Sequence, residues 1–139
     1  MSIPDVFLPT AYTVVRKPYI PGAISNSGNA KDTWGPPEEH SVYGWGPPEN
    51  KAQITEPKAV YADNQRYVVE LELMVPPGFV ARNRDRFVLD ITLEDFLAVS
   101  NTAELEWYRG LGPIESYEAN PFGWNPGSVV NLISVEGAQ

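Results

Sequence analysis

Tyr67, Val69, Leu71, Leu73 and Val75 alternate with Val68, Glu70, Glu72 and Met74, so one face is apolar at every second residue. A period of two predicts a half-buried antiparallel strand running on from Arg66, and Pro76-Pro77-Gly78 ends it by withholding two N–H donors. Tyr12-Thr13-Val14-Val15-Arg16, β-branched and aromatic between Pro9 and Pro18, predicts a short first strand. Phe87, Leu89 and Ile91 alternate with Arg86, Val88 and Asp90, which predicts another strand over residues 86–92. Its favoured partner is residues 96–99, joined through Leu93-Glu94-Asp95 as a hairpin. Leu93, Phe96, Leu97, Leu105 and Tyr108 also fit one helix face, and residues 93–108 lack Gly and Pro. The hairpin is preferred because Val99-Ser100-Asn101-Thr102 is poor helix material; a helical turn within residues 102–108 stays open.

The last strand follows a double turn. In Asn120-Pro121-Phe122-Gly123-Trp124-Asn125-Pro126-Gly127 the prolines fix φ, the glycines permit positive φ, and Pro-Gly suits a type II turn. Val129, Ile133 and Val135 then lie on one side and Val130 and Leu132 on the other, with Asn131 interrupting the first. Residues 18–58 are different. Their proline and glycine density argues against regular pairing over most of the span, and residues 22–39 read as a long mobile loop.

Together these elements predict one all-β domain over residues 1–139. Its form is a small antiparallel β-barrel or sandwich with a long flexible loop at about 18–58 and room for one short helix. Fourteen prolines and eleven glycines among 139 residues agree with short strands and many corners. A chain of this length buries roughly 70% of its unfolded surface. It has no cysteine, so packing alone holds it, as suits assembly in a reducing cytoplasm. No apolar run approaches the ~18 residues that span a bilayer, and no secretion signal is expected, so no membrane partner is expected either. The net charge of −8 argues against tight sequence-independent DNA binding but suits a wall along which DNA slides.

Candidate chemistry is sparse. His40 is the single histidine, no phosphate-cradling glycine loop or nucleophile elbow occurs, and no cofactor is expected. The pairs Glu38/Glu39, Glu70/Glu72 and Glu94/Asp95 could in principle serve as acid and base, but eighteen acidic residues make such pairs common by chance. An enzyme, such as a small hydrolase using paired carboxylates, is therefore disfavoured. Two features point to contacts with other molecules. Tyr43 and Trp45 in Val42-Tyr43-Gly44-Trp45-Gly46-Pro47-Pro48 echo Phe122 and Trp124; such rings either pack on the core or meet a partner subunit. Arg82, Arg84 and Arg86 form the one basic cluster and share a side if extended, as a solvated rim or as a subunit or phosphate contact. The aromatic set could also serve a carbohydrate- or peptide-binding β-sandwich as a stacking platform.

The order of four pieces carries a resemblance. They are Val42-Tyr43-Gly44-Trp45-Gly46-Pro47-Pro48, Val75-Pro76-Pro77-Gly78, Asp85-Arg86-Phe87-Val88-Leu89-Asp90, and Asn120-Pro121-Phe122-Gly123-Trp124 with Pro126-Gly127-Ser128-Val129-Val130-Asn131-Leu132. Over residues 42–137 the chain resembles head-to-tail stopper, or head completion, proteins of long-tailed phages infecting actinobacteria. The resemblance implies a small β-barrel-like domain assembled as a ring, a hexamer, between the adaptor ring below the portal and the tail terminator or tail tube. Its place is the virion neck, with packaged DNA as a non-specific passenger. A loop of the family enters the channel and helps retain DNA until ejection, and no catalytic residue is carried over. Gly22, Ser25, Asn26, Gly28, Asp32 and Trp34 are the candidate channel loop. Residues 93–111, longer than the family's tight hairpin, and the first forty residues depart from the pattern. Six copies at −8 each carry roughly −48, consistent with a conduit that does not hold DNA.

Overall fold

Five consecutive residue pairs, from Tyr12 opposite Val42 to Arg16 opposite Glu38, start an antiparallel sheet. The computed structural model describes residues 10–21, 33–48, 58–116 and 127–135. Along them run β1 (Tyr12–Lys17), β2 (Tyr19–Ile20), β3 (Thr33–Trp34), β4 (Glu38–Val42), β5 (Gly44–Gly46) and β6 (Ala59–Ala62). There follow β7 (Gln65–Val68), β8 (Leu71–Val75), β9 (Arg86–Leu89), helix α1 (Leu93–Ala98) and a 3₁₀ turn (Thr102–Glu104). β10 (Trp107–Gly110), β11 (Glu115–Ser116) and β12 (Ser128–Val135) complete the order. The main sheet reads β4-β1-β9-β10-β12-β8-β5, with β11 added on β12.

The two ends of that order, β4 and β5, are neighbours in the chain, separated only by Tyr43. The sheet must therefore curl until its ends share a corner, where the Tyr43 N–H donates to the Met74 carbonyl at 3.0 Å. β4 and β5 are not paired with each other, so the architecture is sandwich-like all-β and not a closed barrel.

Inside the curl, Val14, Val42, Leu73, Val75, Phe87, Val130 and Leu132 form the larger core. Period two sends Val15 and Val88 to the opposite face of β1 and β9, where they meet Phe96 and Trp107 in a second cluster. Helix α1 covers that face. Phe96 stands edge-on to Trp107 with ring centroids 5.9 Å apart, burial worth roughly 2–3 kcal/mol. The Thr92 hydroxyl caps the helix by accepting from the Asp95 N–H, and Glu94 and Asp95 sit favourably in its first turn. These contacts overturn the expected hairpin: residues 96–99 are not a strand, because Phe96 is required on the Trp107 face. The helical turn left open after residue 102 is the 3₁₀ turn, whose Thr102 carbonyl accepts from Trp107 Nε1 at 2.8 Å.

Two further expectations change. The alternation of residues 67–75 is kept, with Val69, Leu73 and Val75 buried and Val68 and Met74 exposed. The strand, however, divides at Val69-Glu70: β7 turns back on β6, and β8 pairs with β12 and β5. Asp63 and Asn64 make the β6–β7 turn with φ of 55° and 60°, the double positive φ of a type I′ hairpin. The density of proline and glycine in residues 18–58 does not prevent pairing in their described part, where β2 to β5 lie. The prolines stand at the corners: Pro18 between β1 and β2, Pro36 and Pro37 between β3 and β4, Pro47 and Pro48 after β5. There the missing N–H costs no ladder bond.

Candidate anion-binding cleft

The cleft begins with a buried ion pair. Asp85 has no solvent exposure; its Oδ2 accepts from Arg16 Nε at 2.8 Å and from the Arg82 N–H at 2.8 Å, and its Oδ1 accepts from the Tyr19 N–H at 2.7 Å. This carboxylate gathers β1, β2 and the turn before β9. The turn is tight, with Arg84 at φ 73° and its N–H donating to the Gly110 carbonyl. Arg82, Arg84 and Arg86 therefore do not form the extended row that their spacing suggested. Arg82 is exposed, whereas Arg84 and Arg86 line a cavity of about 350 Å³ together with Trp34, Asp63, Gln65, Tyr67 and Arg109.

Each guanidinium in the cleft has an aromatic neighbour. Arg86 lies 4.2 Å over the Trp34 ring, Arg109 lies 5.1 Å over Tyr67, and Arg84 lies 5.4 Å over Tyr19. Arg86 and Arg109 are cross-strand partners in the β9–β10 ladder, a position where like charges repel. Asp63, at the tip of the β6–β7 hairpin, offsets part of that repulsion: Oδ1 accepts from Arg84 Nε at 3.1 Å and Oδ2 from an Arg109 terminal nitrogen at 2.9 Å. Asn83 Oδ1 accepts from the same Arg109 nitrogen at 2.9 Å. Among the described residues that line it, the cleft has three guanidinium groups and one carboxylate, on a chain of −8. Its chemistry suits an oxyanion held by forked donors against apolar walls.

Burial pushes the Asp63 carboxyl up, but the Arg84 and Arg109 hydrogen bonds and charges outweigh it and leave the group below its ordinary value of 3.8. Glu115 behaves likewise: burial raises it, and bonds from Lys58 and Asn131 bring it below 4.5. Both bind protons less tightly folded than unfolded. Their stabilisation is therefore full above the ordinary values and is lost as pH falls through the depressed folded ones. Asp63→Asn should flatten the acid limb of stability against pH by about 1 kcal/mol or less, the side chain being one-fifth exposed and its pairs screened. Urea midpoints near neutrality and in acid measure this, and an unchanged acid slope would count against the Asp63 linkage.

The chain matches no family model, curated protein or solved structure.

The cleft unites residues that sequence reasoning kept apart: Trp34 from the candidate channel loop, and Arg84 and Arg86 from the candidate interface. Trp34 Nε1 donates to the Arg84 carbonyl at 2.8 Å, so β3 is fastened to the arginine turn. Tyr43 is half-buried at the corner, and Trp45 packs on the larger core and edge-on to Tyr12 at 5.2 Å. Phe122, Trp124, Gly22, Ser25, Asn26, Gly28 and Asp32 lie outside the described residues. The carboxylate pairs each have structural partners. Glu38 holds Arg16 and His40, Glu39 accepts from the Leu93 N–H, Glu70 accepts from Ser134, and Glu72 pairs with Lys58. Glu94 and Asp95 serve the helix start. Asn131, the polar interruption in the last strand, is buried and donates to Glu115 at 2.9 Å. Among the described residues no three His, Asp or Glu side chains gather into a metal-binding group.

Sequence reasoning missed Asp63, Gln65, Tyr67 and Arg109. Asp63-Asn64 between two β-rich runs was a readable two-residue turn signal. Arg109 enters the cleft only through the β9–β10 register, which no local pattern announces.

Proposed function

We propose that this chain is a structural protein of a phage neck, one subunit of a ring between the portal and adaptor on one side and the tail on the other. The ring closes the DNA channel and retains packaged DNA until ejection. One observation carries the reading: the described parts of three of the four segments that hold the resemblance are joined in space as well as in order. β5 pairs with β8 and β8 with β12, so the Gly44-Trp45-Gly46, Val75-Pro76 and Gly127–Leu132 segments adjoin in one sheet. The Asp85–Asp90 segment is β9 with its buried anchor. A curled sheet fastened by a buried ion pair is a stiff wedge, and a wedge with acidic surfaces can border a channel without adhering to DNA.

The reading is tested with a nonsense mutation that removes the protein during particle assembly. Filled heads should then lose their DNA and fail to join tails, as seen by electron microscopy and by DNase sensitivity of the packaged genome. Normal yields of tailed, DNA-retaining particles would refute the proposal.

A further inference from the structure

Lys58 stands at the base of the β6–β7 hairpin, where its carbonyl accepts from the Val69 N–H at 2.9 Å. Asn131 faces Glu72 across the β12–β8 pair, and Glu115 faces Val129, two residues back on β12, so Asn131, Glu72 and Glu115 share one face of the sheet. Lys58 Nζ donates to Glu115 Oε1 at 2.8 Å and to Glu72 Oε2 at 2.5 Å, and Asn131 Nδ2 donates to Glu115 Oε2 at 2.9 Å. The two oxygens of one carboxylate thus hold a primary amine and a primary amide side by side. Asn131 is 1% exposed, and its Oδ1 has no hydrogen-bond partner among the described residues, an uncommon state for a buried acceptor.

We infer that Lys58 and Asn131 join in an intramolecular isopeptide bond, with Glu115 carrying a proton from the amine to the departing amide nitrogen. Glu72 takes the ammonium proton of Lys58, the freed Nζ attacks Asn131 Cγ, and charge collects on Oδ1. That oxygen, unbonded in the resting amide, is open to a donor as the charge grows. Glu115 Oε1 removes a second proton from Nζ, the carboxyl group protonates Nδ2, and the Cγ–Nδ2 bond breaks. Ammonia leaves and takes the proton held by Glu72, so ammonium is the by-product and nothing is oxidised or reduced. Burial lowers the Lys58 ammonium, but the bonds and charges of Glu115 and Glu72 outweigh it and leave the group above its ordinary value of 10.5. At neutral pH the free amine is then roughly one part in a thousand or less, which makes the reaction slow and base-promoted. Holding both reactants on one carboxylate offsets that fraction, since effective molarities of oriented groups reach about 10⁵–10⁸ M. The four-carbon stem of Lys58 lets Nζ reach Cγ without moving a strand. The bond ties the hairpin base to an interior strand of the main sheet, and needs no thiol in a chain without cysteine.

Intact mass spectrometry of the full chain under denaturing conditions tests it, on fresh protein and after prolonged incubation at about pH 9. The wild type should become lighter than its sequence by about 17 Da, the mass of ammonia. Trypsin should then leave a branched peptide joining Lys58 to Asn131, which separates the bond from a succinimide of equal mass loss. Lys58→Arg keeps the cation but lacks the amine, and should hold its full mass. Glu115→Gln should form the bond at least about 100-fold more slowly. Circular dichroism verifies that both variants fold. A wild type that keeps its full mass throughout the incubation overturns the inference. So does a loss that maps to other residues, or one that persists in Lys58→Arg. Bond formation at the wild-type rate in Glu115→Gln overturns the part assigned to Glu115.

Discussion

Replacing Asp85 by alanine lowers the free energy of unfolding by roughly 3–5 kcal/mol. The group removed has no solvent exposure and accepts three hydrogen bonds, from Arg16, Tyr19 and Arg82. Arg16 is itself 5% exposed, and without Asp85 its described carboxylate partner is Glu38, at 3.1 Å and 44% exposed. A buried guanidinium left with one half-solvated partner is the large term; the freed Tyr19 and Arg82 N–H groups add a smaller one. Such a loss is a large share of the ~5–15 kcal/mol that holds a domain together. Asp85→Asn should cost less, because an amide oxygen still accepts. Arg16→Met combined with Asp85→Leu should recover much of the loss, since no charge is then stranded. Urea denaturation measures all three, and a loss below about 1 kcal/mol for the alanine variant would show that the pair is not the anchor described.

Gly127→Ala should destabilise by about 3 kcal/mol or more, the combined cost of strain and overpacking. Gly127 has φ of +123°, and a Cβ there would lie 2.0 Å from the Val75 carbonyl oxygen. The backbone cannot retreat without loosening the adjacent pair Ser128 and Val75, where β12 enters the sheet. Gly46→Ala is the control. Its added Cβ would meet nothing within 4 Å among the described residues, and the change should stay within about 0.5 kcal/mol. Equal urea midpoints for the two variants would contradict the close approach of β12 and β8.

Residues 12–16 and 129–135 were legible from their β-branched content and the turn residues beside them, since both faces are buried there, and residues 67–75 from a period-two alternation that burial keeps although the strand divides. Helix α1 was not, although its cap is written in the chain: Thr92 stands three residues before Asp95, whose N–H it accepts. The poor helix formers from Val99 onward end the helix and do not argue against it, Val99 being extended at φ −73° and ψ 127°. Proline content in residues 18–58 was read as an obstacle to pairing, whereas position decides: a proline at a corner leaves both neighbouring ladders intact. The cleft was half legible. Trp34, Arg84 and Arg86 stood out by type, but their convergence depends on the β2–β3 pair, the Asp85 anchor and the β9–β10 register, all non-local. Arg84 at φ 73° shows why alternate spacing failed, since spacing fixes sides only in extended chain.

The central claim, that this chain acts as a shaped and charged subunit of a neck ring, is tested most directly by cryo-electron microscopy of particles made from the genome that encodes it. At side-chain resolution the map should show copies of this chain in a closed ring between the portal-side rings and the tail. Intact necks built entirely of other proteins would contradict it.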